Sequence, residues 1–139
     1  MEKPRAENIE KNGRSYLTSA EERLKEARIL QNEASYAGSI SRSYYAFLDA
    51  ATACLLTKGL IPRSHTGAIE LLSLHFIKKG DLDKKYVQWF KKIKKDREEA
   101  DYKHGKTFTR KEAEETLKQA REFVSEIGRD FPKIGKKKG

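Results

Sequence analysis

Cysteine is almost missing from this 139-residue chain: Cys54 stands alone. A single thiol cannot close a disulfide within the chain or supply a paired-cysteine zinc site, so a disulfide scaffold and a zinc finger are both excluded. A buried structural thiol in a reducing cytoplasm is the expectation. No apolar run is long enough to cross a membrane. Behind Met1-Glu-Lys-Pro-Arg5 there is no hydrophobic signal segment, so secretion is not expected. Strand alternation, hairpin signals and internal repeats are absent, as are a glycine-rich phosphate loop and the Glu-x-x-His of di-metal bundles. Asp101 and His104 have a spacing that can share a metal, but two ligands do not make a site, so neither a metal nor a cofactor is expected.

What is present is charge. Charged residues make up 37% of the chain, apolar residues another 37%, and the formal net charge is +9. Such a balance suits one small helical domain with a thin core and a wet surface. The positive excess makes RNA, a nucleotide or another polyanion a fitting partner, against the plainer reading of a solvated lysine surface. Nothing predicts DNA sequence readout.

One stretch escapes the charge. Between Ser39 and Leu56 there is no proline or glycine, and Arg42 and Asp49 are its only charged residues. At helical spacing it divides into a bulky stripe (Tyr36, Ile40, Tyr44, Phe47, Ala51, Leu55), a small stripe (Ser39, Ser43, Ala46, Ala50, Ala53), and a third with Arg42, Tyr45, Asp49 and Leu56. A helix apolar nearly all round is surrounded by other helices. The small stripe would let one neighbour's backbone come close, and the bulky stripe would fill the gap to another.

Around it the chain reads as an all-α, antiparallel up-and-down bundle of four main helices plus a shorter fifth. Residues 1–14 form a polar extension, 15–128 the bundle and 129–139 a basic tail, with Lys136, Lys137 and Lys138 expected to be disordered. Leu17, Ala20, Leu24, Ala27 and Leu30 mark the first helix, from Ser15 to near Asn32, with Gly13 as a break before it. Gly59 and Pro62 end the central helix. Ser64 caps the short helix, whose apolar face is Ala68, Leu71, Leu72, His75 and Phe76, with His75 a core histidine. Asp81 or Asp83 caps the next, buried along Leu82, Tyr86, Trp89, Phe90 and Ile93 and continuing toward Tyr102. Thr109 with Glu112 forms a capping box and Phe108 with Ala113 a staple for the last. Ala113, Leu117, Ala120, Val124 and Ile127 face the core, and Gly128 ends that helix with Pro132 beyond.

Chemistry concentrates near residue 100. Arg97 and His104 lie two turns apart, about 20° out of register, on the continuation of a buried stripe. A cation on an inward face needs a partner or a wet cleft, and Asp101, one turn on, can be that partner. Arg42 and Asp49 raise the same question, so one reading is a buried ion-pair network joining the central helix to the helix that carries Arg97. The other is catalytic. Arginine can stabilise a phosphorane and histidine can move protons near neutral pH, which together suffice for metal-independent RNA cleavage through the 2′-hydroxyl. His65, opening its helix in Ser-His-Thr-Gly, can cap, pack or face an anion.

Three segments, Ser41-Arg42-Ser43-Tyr44-Tyr45-Ala46-Phe47, Gly59-Leu-Ile-Pro-Arg-Ser-His65-Thr-Gly67 and Arg97-Glu-Glu-Ala-Asp101-Tyr102, occur in this order. Together they resemble the HEPN superfamily, and most of all its small stand-alone prokaryotic members, over residues 15–128. The resemblance implies a bundle of four or five helices, a homodimer, and frequent pairing with a small nucleotidyltransferase protein as a toxin–antitoxin system. It also implies that Arg97 and His104, six residues between them, are the ribonuclease pair, with Asp101 and Tyr102 in support. Glu98 after the arginine, and Lys106 where toxin members carry a tyrosine, depart from the pattern. The competing expectation is a non-catalytic module that holds RNA or a nucleotide, or docks the nucleotidyltransferase. Arg42, Asp49, Arg97 and Asp101 would then be mainly structural. Set beside Arg97 and Asp101, the residues Arg42, Tyr45 and Asp49 are candidates for the inner wall of a polar cleft.

Overall fold

A computed structural model describes the backbone of residues 6–102 and 106–135, and the side chains of 11–101 and 106–129. Five helices follow in order: α1 Ala6–Asn32, α2 Tyr36–Leu56, α3 His65–Leu72, α4 Lys85–Tyr102 and α5 Arg110–Gly135. A π-helical turn, Ser73–Ile77, continues α3. No strand occurs among the described residues. The expected all-α bundle is the fold, and α2 lies at its centre, touching each of the other four helices.

The small stripe of α2 performs the task its side chains suit. Ser39, Ser43, Ala46, Ala50 and Ala53 are all fully buried, and Ser39 Oγ donates to the Ala27 carbonyl on α1 at 2.9 Å. Ala20 and Ala27 of α1 are fully buried, so small side chains meet small side chains and the helix axes come close. The bulky stripe works differently. Phe47 stacks on Phe123 of α5 (centroids 4.6 Å apart, planes 12° apart) and on Phe90 of α4 at 5.3 Å. Such aromatic pairs add about 0.5–1.5 kcal/mol each beyond the area they bury. Tyr86 Oη donates to Glu122 Oε2 at 3.2 Å and Lys85 Nζ pairs with the same carboxylate at 2.7 Å, tying α4 to α5. Burial and the Glu122 charge push the Tyr86 pKa up to about 12.

The helix ends follow their local chemistry. Gly59, at φ +71°, ends α2 in a left-handed turn, with Leu60 N–H returning to the Leu55 carbonyl at 3.1 Å. Ser64 Oγ accepts from Gly67 N–H at 2.8 Å and Asp83 Oδ1 from Lys85 N–H at 2.8 Å. In the capping box, Thr109 N–H donates to Glu112 Oε1 at 2.8 Å and Glu112 N–H donates to Thr109 Oγ1 at 3.1 Å. Phe108 and Ala113 are buried together with Ile40.

Three expectations need correction. α1 begins at Ala6 and passes through Gly13, and α5 passes through Gly128 and Pro132 to Gly135. A glycine ends a helix only where it takes the left-handed conformation, and Gly128 does not. The carbonyl that Pro132 leaves without an intrahelical donor is that of Gly128, four residues back. His75 is half-buried, not a core residue; its segment lies in the π turn, where the helical register shifts. The basic stretch at 136–138 lies outside the described residues.

Two backbone swaps test these helix ends. Gly128→Ala, with nothing within 4 Å of the added Cβ, is expected to stabilise the fold by about 0.5–1 kcal/mol. Ala34 turns the chain between α1 and α2 at φ +63°. Ala34→Gly is expected to stabilise by a similar ~0.5–1 kcal/mol, relief of strain outweighing glycine's entropy cost. Denaturant midpoints at constant slope measure both.

Candidate functional site

Tyr44 and Tyr45 are neighbours in sequence and therefore about 100° apart around α2. Tyr44 is fully buried at the end of the aromatic core, its ring 5.9 Å from Phe90. Tyr45 is half-buried, edge-on to Tyr44 at 5.3 Å. Arg97 follows the buried Ile93 by one turn on α4 and emerges against both rings. Its Cζ lies 5.4 Å from the Tyr44 centroid and 5.2 Å from that of Tyr45. Its side chain is only 18% exposed. Nη2 pairs with Asp101 Oδ2 at 3.3 Å, while Nε is buried with no hydrogen-bond partner among the described residues. The Tyr44 hydroxyl is equally buried and also without a hydrogen-bond partner among the described residues. Desolvation raises the tyrosine's pKa far above its ordinary value, against the pull of the Arg97 charge.

His65 completes the cluster. The left-handed turn at Gly59, Pro62 and the Ser64 cap bring the chain back over α2. The His65 ring then lies 5.5 Å from Tyr44 and 6.3 Å from Tyr45. Burial lowers its pKa below the usual imidazole value, the Arg97 and Lys94 charges lower it further, and Glu98 opposes them. The ring is therefore neutral at neutral pH. Lys94 and Glu98 pair at 2.7 Å beside it, on the rim of a groove of about 310 Å³ between α3 and α4 where Lys91 and Lys95 also stand.

Of the residues singled out in the sequence, Tyr45, His65, Arg97 and Asp101 meet in one place. Arg42 and Asp49 do not join them. Arg42 Nε pairs with Glu26 of α1 at 3.3 Å, and Asp49 Oδ2 accepts from Ser19 Oγ of α1 at 2.7 Å with Arg23 Nε at 3.8 Å. The envisaged ion-pair network between α2 and α4 is replaced by an alternating ladder along the α1–α2 seam: Arg42, Glu26, Arg23, Asp49. Exposed pairs like those at its outer end contribute little, about 0–1 kcal/mol each. Tyr102 closes α4, and its side chain lies outside the described residues, as does His104. Among the described residues no three His, Cys, Asp or Glu side chains group at metal-binding separation, and no helix is long and apolar enough to cross a membrane. Tyr44 was the partner missed. Its place on the bulky stripe marked it as core; the adjacent Tyr45 was the available signal that an aromatic pair could hold a guanidinium.

A family model for the HEPN domain matches residues 14–130, most of the chain. The chain belongs to the HEPN family. It is 36% identical over 115 residues, 83% of its own length and 85% of the other's, to a Methanocaldococcus jannaschii protein named "Putative toxin MJ0605". A second protein of that organism, "Putative toxin MJ0142", is 29% identical over 109 residues. A Pyrococcus horikoshii protein, "UPF0332 protein PH1297", is 37% identical over 83 residues, 60% of this chain and 56% of that protein. Within this HEPN bundle the Arg97 cluster occupies the end of the α2–α4 interface, a cation presented from an apolar seat.

The coupling between Arg97 and His65 is measurable. Because the folded-state pKa of His65 is depressed, the unfolded chain binds more protons just below the ordinary imidazole pKa of 6.5. Its contribution to stability therefore rises with pH through that window and is lost on acidification. Arg97→Ala removes one of the depressing charges. The His65 pKa, followed by its ring-proton shifts, is expected to move upward in this variant.

Proposed function

We propose that this HEPN protein is a toxin-type endoribonuclease that cuts RNA without a metal, with Arg97 holding the scissile phosphate and His104 moving the proton. The observation that carries the reading is the seat of Arg97: four-fifths buried, held against two tyrosine rings and Asp101, with Nε unspent on any described residue. A guanidinium so held is pre-organised for the nonbridging oxygens of a phosphate, since little side-chain freedom remains to be lost. The net charge of +9 favours the polyanionic substrate, and two relatives carry toxin names.

The chemistry is an internal displacement. The 2′-oxygen of the substrate attacks its neighbouring phosphorus, its proton passes to a base, and the P–O5′ bond breaks. The departing 5′-oxygen takes a proton, leaving a 2′,3′-cyclic phosphate and a 5′-hydroxyl. His104, seven residues beyond Arg97 in the sequence, acts as base or acid. A second copy across a homodimer groove would supply the other. Asp101 keeps the guanidinium oriented, Tyr44 and Tyr45 form its bed, and His65 packs against them as a neutral ring.

A second reading is favoured by the same fixings, which serve binding as well as catalysis: a non-catalytic module that holds RNA or a nucleotide and partners a nucleotidyltransferase. RNA cleavage in excess chelator separates the two. Wild type is expected to cut, with Arg97→Ala and His104→Ala each slower by about 10²–10³-fold. Arg97→Lys is also expected to fail, because a point charge lacks the planar fork. Equal activity in wild type and both alanine variants would overturn the nuclease reading. RNA binding that needs Arg97, survives His104→Ala and leaves the RNA intact would establish the second.

A further inference from the structure

Asp49 does not face Arg97, but neither is it only a rung of the α1–α2 ladder. It lines a cavity of about 280 Å³ where α1, α2 and the loop before α3 meet. Tyr16 of α1 and Ile61 of the loop stand at this cavity, 39% and 59% exposed, beside Pro62. Large apolar side chains left open to water around a carboxylate form an uncommon surface. Apolar walls with one or two oriented polar groups are the usual make-up of a small-ligand site, and the volume lies near the lower end for one. Arg63 and His65 also line it.

His65 is shared. Its ring borders this cavity and also touches Tyr45, whose own ring bears the Arg97 guanidinium. The cavity and the phosphate seat are thus neighbours along one surface, separated by one imidazole. A single-stranded nucleic acid whose phosphate sits at Arg97 can place an adjoining base in the cavity, with Arg63 near the next phosphate. Unpaired bases are commonly held in this manner, stacked on aromatic side chains and read along their Watson–Crick edges.

Asp49 decides which base. Its side chain is 17% exposed, and both described contacts fall on Oδ2, from the Ser19 hydroxyl at 2.7 Å and Arg23 Nε at 3.8 Å. An ionised carboxylate only accepts hydrogen bonds, each oxygen through two lone pairs. Guanine alone presents two adjacent donors, N1–H and the N2 amino group, on its Watson–Crick edge. Adenine and cytosine set an acceptor nitrogen beside their amino group, and uracil flanks its N–H with carbonyls. Each of these would turn a lone pair toward the carboxylate, and a mismatch at a half-buried polar group is where discrimination is largest.

The geometry points to a guanine-binding subsite at this cavity, with Asp49 reading the base edge and Tyr16 and Ile61 covering its faces. This rests on the reading of the chain as an RNA-acting protein, but it is tested without cleavage. The four 5′-ribonucleotides GMP, AMP, CMP and UMP are titrated in turn into the full chain, and backbone amide shifts are followed at Tyr16, Asp49, Ile61 and His65. GMP is expected to bind at least ~10-fold more tightly than the others, a difference of about 1.4 kcal/mol. Asp49→Asn keeps an acceptor for Ser19 but replaces one acceptor atom with a donor. It is expected to lose GMP and to prefer AMP, whose N6 amino group and N1 match an amide. Tyr16→Ala, an exposed change that leaves the core intact, is expected to weaken GMP binding in an otherwise unaltered spectrum. Equal affinity for all four nucleotides, or no shift at the cavity amides with any of them, would overturn the subsite. Guanine-selective binding by a chain that leaves RNA uncut would keep the subsite and remove the nuclease.

Discussion

Ser39 Oγ reaches the Ala27 carbonyl because both helices are stripped to small side chains where they meet. That close approach is the constraint on which the bundle depends. With α1 laid against the small stripe, the opposite side of α2 is left for larger groups. Phe47, Tyr44 and Leu55 occupy it, and α4 and α5 settle around the stacked rings of Phe47, Phe90 and Phe123. A larger residue at Ser39 or Ala46 would push α1 outward and open the Asp49–Ser19 contact as well as the core, since the seam carries both.

The Arg97 seat is a by-product of where that aromatic core stops. Tyr44 is its last fully buried ring, Tyr45 the first to reach the surface, and the residue one turn beyond Ile93 must lie against them. An aliphatic side chain there would extend the core. An arginine converts the same position into a charge with an apolar floor, worth about 0.5–2 kcal/mol in cation–π attraction as it is desolvated. His65 is held to the same floor by a loop whose course is set by Gly59, Pro62 and the Ser64 cap. The electrostatic character of the site thus follows from packing: both groups lie on the tyrosines, and His65 feels the Arg97 charge.

Much of this was legible in the chain before any coordinates. The three stripes of α2, the capping box of α5 and the inward direction of Arg97 follow from helical periodicity and cap chemistry, which act over a few residues. The errors have a common physical form. Arg42, Tyr45 and Asp49 share a stripe, but that stripe lies between the α1 and α4 sides of α2, and periodicity cannot tell which neighbour each side chain will lean toward. Tyr45 went to α4 and α3, while Arg42 and Asp49 went to α1. Glycine misled for a related reason. Gly59 and Gly80 take positive φ and end their segments, whereas Gly128 stays helical inside α5. A glycine permits a helix to break, and it marks a break only where its backbone takes the left-handed conformation.

The turn at Ala34 measures how strongly the first two helices hold each other. A left-handed alanine costs about 1–2 kcal/mol relative to ordinary helical backbone, yet Ser35 N–H still closes onto the Leu30 carbonyl at 2.8 Å. The linker therefore pulls against the geometry it occupies, and the contact between α1 and α2 must exceed that pull before any net stability remains. The strained residue works as a built-in force gauge: the α1–α2 pair is clamped from its faces, and its connecting turn only follows.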